Sequence, residues 1–121
     1  VRCLLDENLS PKLRHCLGDH EVVTAVYAGF GGLKNGELLA AVEAAGFDIL
    51  VTADKTLQYE QNMEGRTLAI VSLSANDWQI IEPHVHKILA AVEASCPGSF
   101  ITVECGTFSR RNPRPPTLGP K

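Results

Sequence analysis

No apolar run in this chain approaches the ~18 residues that a membrane-spanning helix needs. No leader peptide is evident either, since Arg2 is followed by only three apolar residues before Asp6 and Glu7. The expectation is a cytoplasmic protein with no membrane association. No C-x-x-C pair occurs: Cys3, Cys16, Cys96 and Cys105 are scattered, each in or beside an apolar segment. That spacing argues against a zinc ribbon or a thioredoxin-type site and suits reduced thiols acting as small hydrophobes. A phosphate-binding loop is also missing. Gly29-Phe30-Gly31-Gly32 has neither the G-K-[ST] ending nor the G-x-G-x-x-G spacing, and reads as a flexible loop beside a cleft. His84 and His86 are two residues apart on an expected helix, so they point in different directions and do not form a joint metal site.

Positive charge is scarce in most of the chain. The 121 residues hold 11 Lys and Arg against 14 Asp and Glu, a net charge of −3. Four of those bases (Arg110, Arg111, Arg114 and Lys121) lie in residues 107–121, which have no acid; residues 1–106 therefore carry 7 bases and 14 acids, a net −7. An acidic body is a poor general binder of nucleic-acid phosphates unless its carboxylates hold metal ions. The chain length suits one domain, and 45% hydrophobic with 21% charged residues is ordinary for a folded globular protein. The expected domain is 1–106. The segment 107–121, with Pro113, Pro115, Pro116 and Pro120, reads as a flexible tail that is solvated or touches RNA or another protein through its arginines.

Short β-type runs alternate with helix-type runs. Residues 2–5 read as a buried strand, and Ser10-Pro11 as the cap and first position of a helix. Residues 20–25 form a β-branched second strand ahead of the glycine-rich connector. Asn35 reads as the cap of a helix with Leu38, Leu39, Val42 and Ala45 on one face, closed by Gly46. Residues 48–53 are nearly all apolar and read as a central strand, with a loop or short helix over about 57–64. A fourth strand spans 67–73, and one long helix carries Ile81, Val85, Ile88, Leu89 and Val92 to Pro97-Gly98. A fifth strand spans 100–103. This pattern predicts an α/β domain with a five-stranded, mainly parallel sheet in the order 2-1-3-4-5. In that order the winding reverses between strands 1 and 3, and ligands bind outside the carboxyl ends of strands at such a point.

Acids collect at that edge. Asp6 ends strand 1, Asp54 follows strand 3, and Glu37 lies in the first turn of the second helix. Two carboxylates about 5 Å apart repel by roughly 3 kcal/mol at an effective dielectric of 20. Such a cluster is tolerable if a proton or a divalent cation joins it, and hard oxygen ligands suit Mg²⁺ or Mn²⁺. The plainer alternative is that Glu37 answers the helix dipole while Asp6 and Asp54 cap the turns that follow them. Asn8, Thr52 and Lys55 are candidate substrate contacts at the same edge: Asn8 to orient Asp6 or a water, Thr52 to hydrogen-bond a ligand, Lys55 to hold a phosphate. Each also has a structural reading. Ser72, near the end of strand 4, faces the same cleft.

Four ordered motifs resemble the short bacterial PIN-like proteins, compact relatives of the PIN-domain nucleases. They are Leu4-Leu5-Asp6-Glu7-Asn8-Leu9-Ser10, His20-Glu21-Val22, Asn35-Gly36-Glu37-Leu38-Leu39, and Phe47 to Lys55 with Thr52-Ala53-Asp54. The resemblance covers about residues 2–95. It implies a three-layer α/β/α PIN-like, Rossmann-like domain and a Mg²⁺- or Mn²⁺-dependent ribonuclease. In many members that enzyme is the toxin of a toxin–antitoxin pair, with an antitoxin-type protein as partner and homodimers common. Asp6 matches the first-strand acid, Glu37 the helix acid and Asp54 the acid of the T-x-D segment. Typical members carry a second acid two residues later, where this chain has Thr56. That departure fits one metal better than two. It also leaves open a module that keeps the fold without catalysis. A third reading is a receiver-like phosphoacceptor domain with Asp54 as acceptor, which the absence of a lysine after strand 5 disfavours.

Overall fold

The computed structural model describes residues 1–33, 35–53 and 66–105. Five strands, β1 (Arg2–Leu5), β2 (Glu21–Thr24), β3 (Ile49–Thr52), β4 (Ala69–Leu73) and β5 (Phe100–Val103), form one sheet. Their order is β2-β1-β3-β4-β5 and every pairing is parallel. The expected strand order therefore holds. The most apolar runs take the central places, because a strand covered on both faces buries nearly all of its side chains. β3 and β4 are buried at every residue, whereas Glu21 of the edge strand β2 is exposed.

Alternation along the strands sorts the core into two halves. Cys3, Leu5, Ile49, Val51, Val71 and Val103 point to one face. There they meet Leu13 of a 3-10 helix (Pro11–Cys16), Ile81 of α3 (Trp78–Ile81) and Ile88 and Val92 of α4 (Val85–Ala94). Leu4, Leu50 and Ile70 point to the other face, against Ala25 of α1 (Ala25–Ala28) and Leu38, Leu39 and Val42 of α2 (Asn35–Ala44). The result is three layers, helix on sheet on helix.

Three local readings are corrected. The helix opened by Ser10-Pro11 is a 3-10 turn, although Ser10 caps it as expected by accepting from Lys12 N at 3.2 Å. Ala25 belongs to a helix and not to the second strand, because the Thr24 hydroxyl accepts from Tyr27 N and turns the chain into α1. The single long helix is broken into α3, a 3-10 turn (Glu82–His84) and α4. Pro83 supplies the reason: it has no N–H for the ladder, and its ring crowds the preceding turn. The second helix starts at Asn35 itself. The expected loop or helix at 57–64 and the tail at 107–121 lie outside the described residues.

Polar groups at the amino edge of the sheet hold the fold together. Arg2 N donates to Asp48 Oδ2 at 2.9 Å, and its guanidinium reaches the Ala45 carbonyl at 3.1 Å and lies 4.4 Å over the Phe47 ring. Glu43, on α2, accepts from Thr67 N at 2.6 Å, Thr67 Oγ1 at 2.8 Å, Leu68 N at 3.3 Å and Arg66 Nη1 at 3.1 Å. These bonds tie the carboxyl end of α2 to the start of β4. The Thr67 backbone and hydroxyl bonds, then the Leu68 backbone bond and Arg66, hold the Glu43 carboxyl below its ordinary value. A shallow cavity of about 120 Å³ lies at this edge, lined by Asp48, Ile49, Thr67, Ala69 and Cys96 among others.

Candidate functional site

The opposite, carboxyl edge carries a different kind of polar group. Asp6 N donates to Val51 O at 2.9 Å, which extends the β1–β3 ladder by one residue. Alternation therefore sends the Asp6 side chain to the face of Leu4, the face covered by α1 and α2. Thr52 ends β3 on that same face, and its hydroxyl donates to Asp6 Oδ2 at 2.6 Å. The other carboxylate oxygen, Oδ1, accepts from Glu7 N at 2.7 Å. Asp6 is thus held at both oxygens while 9% exposed. A carboxylate offers about four lone-pair sites, so roughly two remain for a ligand.

The polar row continues across the sheet. Thr52 is in register with Ser72, and Ser72 with Thr102. Ser72 is 4% exposed. A buried hydroxyl beside a buried, oriented carboxylate is unusual in an otherwise apolar sheet. The neighbouring loop closes on this edge from the β2 side. Gly32 N donates to Glu7 Oε1 at 3.3 Å. Gly32 has φ +90°, a conformation that glycine adopts without the penalty paid by other residues.

Glu37 is exposed in the first turn of α2. Its position along the helix follows from Glu43, whose carboxylate is fixed at the amino edge. Six residues at 1.5 Å each put Glu37 roughly 9 Å further toward the carboxyl edge. α2 also covers the face to which Asp6 points. Among the described residues Glu37 forms no ion pair. Asn8 is exposed two residues beyond Asp6. Asp54 and Lys55 lie outside the described residues.

Of the expected site residues, the structure joins Asp6 and Thr52 directly. Thr52 bonds the carboxylate itself, so it positions Asp6. Among the described residues no three His, Cys, Asp or Glu side chains converge closely enough to hold a metal ion. The oxygens present, two carboxylates with hydroxyls beside them, are of the hard type that Mg²⁺ or Mn²⁺ takes. The contact of Glu7 with the glycine-rich loop, and the exposure of Tyr27 on α1, were not legible in the residue pattern. The signal for α1 was the cap Thr24 ahead of Ala-Val-Tyr-Ala. Compared with protein-family models, curated proteins and solved structures, the chain matches none. Among the described residues no helix is long and apolar enough to cross a membrane.

Proposed function

We propose that the chain is a metal-dependent RNA hydrolase of the PIN-like type, working at the carboxyl edge between β1 and β3. The observation that carries this reading is the Asp6 carboxylate, nearly buried and held at both oxygens by Thr52 and Glu7 N. A carboxylate needed only as a turn cap has no use for a second, buried donor, whereas a ligand that must keep one orientation does.

In this reading Asp6, Glu37 and Asp54 hold one Mg²⁺ or Mn²⁺. When bound, that ion polarises a phosphoryl oxygen and lowers the pKa of a water. The chain's own groups do the rest. Thr52 keeps the Asp6 oxygens in one orientation, so no reorganisation is needed when charge develops on phosphorus. Glu37 is exposed in the first turn of α2 and so is accessible to a ligand. Asn8 offers an exposed amide to a phosphate or sugar oxygen, and Lys55 a cation to the phosphate. The acidic body fits a protein that meets RNA through a held cation and not through a basic surface.

The topology also suits a receiver-like phosphoacceptor, but β5 runs into Glu104 and Cys105, with no lysine to hold a phosphoryl group. The test is cleavage of mixed single-stranded RNA with Mn²⁺. Expected is cleavage by the wild type that is lost in Asp6→Asn while the melting curve stays cooperative. Equal cleavage by both proteins contradicts the reading. No cleavage by the wild type favours the inert module, with an antitoxin-type protein or a second copy as its partner.

A further inference from the structure

We infer that Glu7 is a positioning residue for Asp6, and that the glycine-rich turn holding its carboxylate sets the cation affinity of the carboxyl edge; this rests on the reading of Asp6 as a cation ligand. Two hydrogen bonds in series carry the argument. Gly32 N donates to Glu7 Oε1 at 3.3 Å, and Glu7 N donates to Asp6 Oδ1 at 2.7 Å. The turn thus fixes the side chain of Glu7, while the main chain of Glu7 fixes the carboxylate beside it.

The far end of the series is anchored. Leu33 N donates to Phe30 O at 3.2 Å, closing a turn over residues 30–33. Phe30 and Leu33, its two ends, pack against the half of the core that α2 covers. The Phe30 ring meets the Phe47 ring edge-on, with centroids 6.4 Å apart. Gly32 is the third residue of the turn, and its φ of +90° matches a type II turn, which disfavours a side chain at that place. The bond that closes the turn uses Leu33 N and leaves the Gly32 N–H for Glu7. A Cβ on Gly31 would lie 3.5 Å from Glu7 Oε1, so the carboxylate rests against both glycines.

The near end depends on that anchor. Glu7 is exposed in the turn that follows β1. Among the described residues no cation pairs with it, and Gly32 N is the group that holds its side chain. With the tether cut, the exposed peptide between Asp6 and Glu7 is free to rotate and withdraw its N–H from Oδ1. Thr52 alone then orients the carboxylate. Loss of a group that orients a metal ligand costs about 10–100-fold in affinity. Direct ligation is the competing use for Glu7, but its Oε1 is already committed to the turn.

The test is calorimetric titration of Mn²⁺ into the full chain, as wild type, Glu7→Ala, Glu7→Gln, Gly32→Ala and the double variant, each checked for a cooperative melt. Expected is binding about tenfold weaker in Glu7→Ala. Glu7→Gln keeps the acceptor and loses only the charge, so it should recover about threefold or more of that loss. A methyl at residue 32 favours a turn of negative φ, which moves the N–H off Glu7 without changing any charge. Gly32→Ala should therefore weaken binding about threefold or more where Glu7 is present, and under about twofold in the Glu7→Ala background. Without metal, the Gly32 amide hydrogen should exchange about fivefold faster or more in Glu7→Ala by NMR. Should Gly32→Ala fail to melt cooperatively, the Glu7→Gln recovery and the amide exchange decide. Equal Mn²⁺ affinity in the wild type and Glu7→Ala, or a Gly32→Ala effect of one size in both backgrounds, overturns the inference and leaves the cation site standing. Glu7→Gln as weak as Glu7→Ala, with Gly32→Ala unchanged, makes Glu7 a ligand and overturns it too. If the wild type binds no Mn²⁺, the inference and the cation reading both fall.

Discussion

Replacing Thr52 with valine removes one hydroxyl from the centre of the carboxyl edge and keeps the shape of the side chain. Thr52 is fully buried and Asp6 is 9% exposed, so water does not readily take the place of the lost donor. The bond is short, 2.6 Å, and its acceptor is a carboxylate. Hydrogen bonds to charged groups contribute about 1.5–3 kcal/mol net. The added methyl of valine offsets under about 1 kcal/mol of that. Thr52→Val should therefore cost about 1–2 kcal/mol in urea unfolding, and lower the melting temperature by roughly 3–12 °C for a domain of this size. A double-mutant cycle with Asp6→Ala should give a coupling above about 1 kcal/mol. A Thr52→Val protein within about 0.5 kcal/mol of wild type, with no coupling to Asp6→Ala, would refute the argument that Thr52 holds the carboxylate.

Other consequences follow from the amino edge and the core. Glu43→Gln should destabilise the protein by about 1–3 kcal/mol at neutral pH, since one carboxylate serves four donors. Because the folded-state pKa of Glu43 lies below its ordinary value near 4.5, its contribution is complete above that value and is lost as pH falls through the lower folded one. The gap between wild type and variant in urea midpoint should narrow on acidification, and a gap constant down to pH 2 contradicts this. Burial pushes the Cys3 thiol up to about 11, and raises that of Cys105 as well, so both should resist iodoacetamide at pH 8 in the native protein. Cys96 is exposed and should label first by mass mapping; Cys3 labelling at the same rate counts against the packing described. Leu50→Ala, in the middle of β3, should cost about 2–5 kcal/mol in urea unfolding. A loss below 1 kcal/mol would place that residue outside a tight core.

Much of the sheet was legible because its signals are local. Leu50 and Val51 lie in a run apolar enough to require cover on both faces, which marks a central strand. Alternating strand and helix runs then leave few orders for a parallel sheet. The break after α3 was written in Pro83 but masked by apolar spacing: Ile81 and Ile88 face the core on either side of it. α1 escaped the reading because Thr24 is β-branched and looks like strand until its hydroxyl is seen to cap Tyr27 N. The role of Glu43 was not legible at all. It depends on β4 starting beside the end of α2, a contact between segments 24 residues apart.

The candidate site divides in the same way. Asp6 was legible as an acid ending a buried strand, and its pairing with Thr52 follows once β1 and β3 are neighbours. Where Glu37 lies relative to Asp6 depends on the rotation of α2 about its axis. That rotation is set by the packing of Leu38, Leu39 and Val42 and is not encoded in spacing alone.

Calorimetric titration of Mn²⁺ into the wild type, Asp6→Asn and Glu37→Gln tests the proposed cation site most directly. Saturable binding near one ion per chain, weakened at least tenfold in each variant, is the expected result. Equal affinity in all three proteins, or no binding by the wild type, contradicts a metal held between β1 and α2.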